Sequence, residues 1–198
     1  MCHAFLDDFN FYHLLFRIDQ SIAEDIRKNG CPCGGVLHRA DYPRKPRGIR
    51  SVLNDAYCTR LSFCCAEDTC RRRRTPASVR FLGRKVYLGV IVVLVTALQH
   101  GLTPKRRRQL VEALEIPPQT LSRWRRWWRE AFAQSRCWQM ERGHFVPPIE
   151  VGRLPDSLLG RLKDEKLSDR LCRLLVLLCP ATTTSVDYLK GVIDPQRM

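Results

Sequence analysis

Two pairs of cysteines carry the clearest chemistry in this chain. Cys31-Pro-Cys33-Gly-Gly is a tight turn that presents two thiolates to one point, with glycines that give the backbone room to curl. Farther on, Cys64-Cys65-Ala-Glu-Asp-Thr-Cys70 offers a second pair. Zn²⁺ takes four soft ligands in a tetrahedron, and a structural site commonly draws two from each of two knuckles. The expected ligands are Cys31, Cys33, Cys65 and Cys70, with Cys64, Cys58 and His38 in reserve. The short Cys-x-Cys turn departs from the usual spacing, and the competing reading is buried thiols without metal. A module this small has little core, so a structural zinc would supply much of its folding energy. No His-Cys set with a nearby Glu suggests a catalytic zinc.

The second constellation runs from Gln109 to Trp128 and reads as a helix-turn-helix. Ala113 is small enough for a packed corner, and Leu114 and Ile116 plug it. Glu115 stands where such corners often use Gly. Leu121, Trp124 and Trp128 recur at steps of three and four and would be buried. That leaves Gln119, Ser122, Arg123, Arg126 and Arg129 on or near the outer face. In this motif the second helix enters the major groove with its N-terminal half leading. Arg bridges guanine O6 and N7, and Gln pairs with adenine. Gln119, Ser122 and Arg123 are therefore the expected base readers, with Thr120, Arg125, Arg126 and Arg129 as further DNA contacts. Lys105, Arg106, Arg107 and Arg108 open the preceding helix and suit phosphates. The competing reading is an arginine-rich solvated helix. Arg71-Arg-Arg-Arg74, directly after the second knuckle, reads either as a phosphate holder or as a solvated turn.

The charge distribution points the same way. The 198 residues carry a formal net charge of +14. Residues 39–129 hold 21 Lys and Arg against 6 Asp and Glu, so the ends are close to neutral. A positive field that concentrated favours a polyanion through counterion release, and double-stranded DNA is the first candidate.

The positioning elements follow from periodicity and breakers. Phe11, Leu15, Ile18, Ile22 and Ile26 place an amphipathic helix over 10–29, with Asp19 off its apolar face and Gly30 as its cap. Short apolar runs at Val36-Leu37, Leu61–Phe63 and Ser78–Leu82 suit short strands, and Tyr42–Gly48 is a loop. From Arg84 the pattern becomes helical: a buried run over Val86–Leu98 ending near Gly101, a helix from Pro104 to about Leu114 behind Thr103, and a third from Pro118 to Phe132. A connecting stretch follows Ser135. Two more helices are expected near 156–165 and 168–179, the second burying Leu171, Leu174, Leu175 and Leu178, before a tail. The expected fold is mainly α with a small β zinc-ribbon and a tri-helical helix-turn-helix core. Its segments are an N-terminal helix (1–29), a zinc-ribbon-like module (30–82), a helix-turn-helix domain (83–135) and a C-terminal helical segment and tail (136–198).

Val86–Leu98 is shorter than the roughly 20 residues a bilayer requires, so no membrane partner is expected. The first residues carry acids and no basic stretch, unlike a signal peptide. Cys172 and Cys179 sit in apolar helical patterns, as reduced thiols do. These features suggest a reducing, cytoplasmic, nucleoid-associated setting. Catalysis is not expected. The acids after the helix-turn-helix (Asp156, Asp164, Glu165, Asp169, Asp187, Asp194) lie on helices or in the tail, with no strands to hold them around metals. Tyr87 and Tyr188 lack an arginine constellation.

Cys-Pro-Cys-Gly-Gly, then Phe63-Cys-Cys to Cys70-Arg-Arg-Arg-Arg-Thr-Pro, then Ser78–Tyr87, then Thr120-Leu-Ser-Arg-Trp124 together resemble insertion-sequence-associated proteins. Those are transposase N-terminal regions and accessory reading frames with a zinc ribbon and a homeodomain-like helix-turn-helix. The resemblance covers about residues 30–130. It implies Cys31, Cys33, Cys65 and Cys70 as ligands, Thr120–Arg126 as the groove helix, and a catalytic transposase or a second copy as a partner. A transcriptional regulator with the same plan, or a helical interaction module with a solubilising basic surface, would share much of this pattern.

Overall fold

The computed structural model describes residues 8–44, 55–82, 87–88, 92–93, 96, 103–113 and 117–182. Most of the Tyr42–Gly48 loop, most of the Val86–Leu98 run, Gly101, the Leu114–Ile116 corner and the tail past Thr182 lie outside the described residues.

Helix α1 (Phe9–Asn29) opens where the Asp8 side chain accepts a hydrogen bond from the Phe11 N–H, 3.1 Å away. That satisfies one of the amides every helix start leaves open. The helix closes at Gly30, whose φ of +68° suits a residue without Cβ. Arg27 and Lys28 in its last turn complement the helix dipole. Its buried face is Phe11, Tyr12, Leu15, Asp19, Ala23 and Ile26, with Ile18 and Ile22 only partly buried. Asp19, expected off the apolar face, sits in its middle.

Two cores meet along this helix. Phe11, Tyr12 and Leu15 belong to the larger one, with Tyr57, Ala77, Val79, Phe81, Leu121, Trp124, Trp128 and the leucines of the C-terminal helices. Ala23 and Ile26 belong to the smaller one, with Cys31, Leu37, Leu61, Phe63 and Cys65.

The smaller core is a ribbon. Strands β1 (Leu37–Arg39), β4 (Phe63–Cys65) and β5 (Arg73–Arg74) form an antiparallel sheet in the order β1-β4-β5. β2 (Tyr42–Pro43) pairs with β3 (Thr59–Arg60) beside it. Half of the arginine run is thus strand, since β4 supplies partners for Arg73 and Arg74.

Strands β6 (Phe81–Leu82) and β7 (Tyr87–Leu88) form a hairpin. Tyr87 and Leu88, expected within the helical run, are therefore strand, because their pairing with Leu82 and Phe81 outweighs the helical reading there. Val92, Val93 and Thr96 farther along are helical and buried.

Helix α2 spans Pro104–Ala113 and α3 spans Pro118–Trp127, continuing as a π-turn over Trp128–Phe132. Leu121, Trp124, Trp128 and Phe132 are buried as the spacing predicts. Helix α4 (Arg136–Glu141) replaces the connecting stretch expected after Ser135. Ser135 caps it by accepting from the Trp138 N–H, and the Trp138 ring lies 5.3 Å from that of Phe132. Helix α5 (Asp156–Leu159) is a single turn closed by Gly160, shorter than the expected 156–165. Helix α6 (Leu167–Leu178) buries the four predicted leucines. No helix among the described residues is long and apolar enough to cross a membrane.

Candidate metal centre and basic helix

The ribbon's topology brings the cysteines together. Cys31 and Cys33 lie on the turn entering β1, and Cys65 and Cys70 lie on the hairpin leaving β4. Leu37 pairs with Cys65, so an antiparallel register sets both turns at one end of the sheet. The Cys31 N–H donates to the Gly35 carbonyl at 3.0 Å and the Gly34 N–H to the Cys31 carbonyl at 2.8 Å, which closes the first knuckle. In the second, the Cys70 N–H donates to the Glu67 carbonyl at 3.0 Å.

The Sγ atoms of Cys31, Cys33, Cys65 and Cys70 lie within 4.8 Å of one another. Cys31 and Cys70 approach to 3.7 Å, and Cys33 and Cys65 to 3.5 Å. A tetrahedron with metal–sulfur bonds of about 2.3 Å has edges of about 3.8 Å, so the sulfurs are spaced for one ion. The four cysteines expected to ligate lie together, and the β pleat separates them from the reserves. Successive residues face opposite sides of a strand. Cys65 faces inward and is buried, whereas Cys64 faces outward and donates to the Arg71 carbonyl at 3.4 Å. His38, opposite Cys64, is exposed on that same outer side. Cys58 stands outside the cluster, and burial raises its thiol.

Backbone amides already favour thiolate in this cluster. The Cys33 N–H donates to Cys31 and, with its sulfur neighbours, holds that thiol down to about 7. The Gly35 N–H does the same for Cys33, but Cys31, Cys70 and burial outweigh it and the Cys33 thiol is raised. Burial pushes Cys65 up to about 12, against the Glu67 N–H. Four sulfurs this close cannot all ionise alone. A divalent cation at their centre removes that cost, because a coordinated thiol is deprotonated outright.

Gly35 makes room for the site. A Cβ there would lie 2.5 Å from Glu67 Cγ and 2.7 Å from Cys65 Sγ. Gly35→Ala is therefore expected to displace the sulfur and weaken metal binding by about 10–100-fold, as loss of a supporting group around a metal does. Competition with a chromophoric chelator measures it, and unchanged affinity would show that the sulfur does not ligate from this position.

On α3, Gln119, Ser122, Arg123 and Arg126 are all exposed, as expected, and so is Arg129 on the π-turn that continues it. Two expected contacts are placed differently. Thr120 is buried, because it falls on the same side as Leu121 and Trp124, and its hydroxyl accepts a hydrogen bond from Arg123 at 2.8 Å. Arg125 is half-buried, with its Nε enclosed. Arg129 donates to the Gly152 carbonyl at 3.2 Å. Lys105 and Arg108 of α2 are exposed, whereas the side chains of Arg106 and Arg107 lie outside the described residues.

The sequence reading missed the pair that ties the ribbon to the larger core. Arg80 Nε donates to Asp19 Oδ2 at 2.8 Å, and the Val79 N–H donates to Oδ1 at 2.7 Å. Arg80 also donates to the carbonyls of Tyr57 and Thr59, and its guanidinium sits 4.7 Å from the Phe16 ring. The available signal was an acid four residues from both Leu15 and Ala23, on the stripe that α1 buries. Compared with known proteins, the chain matches no family model, no curated protein and no solved structure.

Proposed function

We propose that the chain is a non-catalytic, sequence-specific DNA-binding protein whose ribbon is held by a structural zinc ion. In this reading α2 and α3 form a helix-turn-helix within a tri-helical unit, and α3 enters the major groove. The observation that carries it is the outer face of α3 and its π-turn continuation, where Gln119, Ser122, Arg123, Arg126 and Arg129 stand exposed over a buried row of Leu121, Trp124 and Trp128. A major groove admits one α-helix, and such a face offers it donors for guanine and adenine edges. The Thr120 hydroxyl steadies Arg123 from behind, which lowers the rotamer entropy lost on contact. Zinc is favoured by an all-sulfur tetrahedral donor set of closed, structural type. A role in recognising mobile-element ends is supported by the resemblance across residues 30–130.

The test is a mobility shift of the full chain on random duplex DNA at two salt concentrations, with sequencing of the retained fraction. A defined motif is expected, and its occurrence at mobile-element ends rather than promoters would favour the transposition role. Arg123→Ala should relax preference at one position of that motif and cost about 1–3 kcal/mol. A uniform loss across all sequences would remove Arg123 as a base reader. Absence of any shift at low salt would sink the DNA reading.

A further inference from the structure

We propose that the exposed arginines at β5 are a second DNA contact, a grip on duplex phosphates made by Arg73 on the outer face of the strand and by Arg72 just ahead of it, and organised by Tyr42 and Arg44. This rests on the reading of the chain as a DNA-binding protein and extends it from α3 to the ribbon.

The pleat sorts the arginine run. Arg74 turns inward and is buried, while Arg71, Arg72 and Arg73 are exposed. The register then lines up an outer row across the sheet, because His38 pairs with Cys64 and Cys64 with Arg73. Tyr42, from the neighbouring two-stranded sheet, gathers cations beside that row. The Arg73 guanidinium lies 5.5 Å from its ring centroid and that of Arg44 lies 5.4 Å away. Two guanidinium groups from different segments are thus held against one aromatic ring.

Two of the nearby carboxylates are engaged elsewhere. Asp41 pairs with Arg39 and accepts from the Ser62 N–H, and Asp68 pairs with Arg71. Arg72 and Arg73 pair with no carboxylate among the described residues. Guanidinium forks match phosphate oxygens in a bidentate way. Arginines ordered by an aromatic ring lose less rotamer freedom when an anion arrives. The partner that fits is a phosphodiester backbone, which supplies anions in series along an exposed basic row.

The test compares the full chain with the double variants R72A/R73A and R72K/R73K on duplex DNA over a range of salt. Each phosphate contact contributes about 0.9 to the slope of log affinity against log salt. The alanine variant is expected to bind about tenfold more weakly and to lose about two units of slope, with the selected motif unchanged. The lysine variant should keep its slope, which separates lost charge from lost fold, and thermal unfolding of both variants should match the parent. If the parent binds duplex and the alanine variant keeps the full slope, the ribbon grip is wrong while the α3 reading stands. If the parent binds no duplex at low salt, the DNA reading itself has failed and the grip falls with it. Binding to phosphatidylserine vesicles that the alanine change abolishes, with the DNA slope unaltered, would overturn the proposal in favour of a membrane surface.

Discussion

Replacing Cys31 and Cys33 together by Ser is expected to empty the chain of metal and unfold the ribbon, while the helical core persists. The ribbon has little else to hold it. Besides its cysteines, its buried apolar residues are Ala23, Ile26, Leu37, Leu61 and Phe63. Its longest strands have three residues. A site whose ligands come from two distant turns exists only in the folded ribbon, so metal affinity and folding free energy are the same quantity. Ser removes two of four thiolates and leaves hard oxygen donors in their place. Emission spectroscopy should find about one zinc per parent chain and none in the variant. Amide exchange should show lost protection over residues 31–39 and 59–74, with protection kept in α3 and α6. Cys64→Ser is the contrast, because Cys64 faces away from the cluster and should leave the metal in place. Full metal content in the double variant would remove these two cysteines from the ligand set.

Asp19→Ala is expected to destabilise the chain by about 3–5 kcal/mol, because it leaves Arg80 as an unpaired buried cation. Both side chains are at most 1% exposed. Asp19 accepts from Arg80, from the Ser78 hydroxyl and from the Val79 N–H. Its loss therefore frees a guanidinium, a hydroxyl and an amide at once. The site lies where α1 passes from one core to the other, so the damage reaches both. Asp19→Asn keeps the shape and some hydrogen bonds while removing the charge, and should cost less. Urea unfolding of the two variants measures the difference. A loss under about 1 kcal/mol for Asp19→Ala would mean that water reaches Arg80, as it does for surface pairs.

Both predictions concern residues that were unequally visible in the sequence. The cysteines announced themselves, because two short cysteine-rich turns, the first with paired glycines, are what a four-thiolate site draws on. The outer face of α3 was visible for a different reason. Large aromatic residues at steps of three and four must be buried together, and the residues between them are left outside. Local periodicity even places Thr120 with the buried row, although its hydroxyl suggested a surface role. What periodicity hides is a polar group on a buried stripe. Asp19 read as lying off the apolar face because its partner, Arg80, is 61 residues away and no local pattern connects them.

The arginine run shows the same limit. Four arginines in a row read either as a phosphate holder or as a solvated turn, yet β4 pairs with the last two and makes them a strand. That pairing sends Arg74 inward and Arg73 outward beside Tyr42, and it also separates Cys65 from Cys64. Residue type and local spacing were enough to name the thiol donors, the α1 and α6 stripes and the basic face of α3, because each depends on helical period or coordination chemistry within a short stretch. Strand register, the physical reason that Cys65 rather than Cys64 joins the cluster, and the Asp19–Arg80 tie depend on contacts between distant segments. A one-residue shift of register would turn every side chain of the ribbon to its other face, and only the packed tertiary structure excludes it.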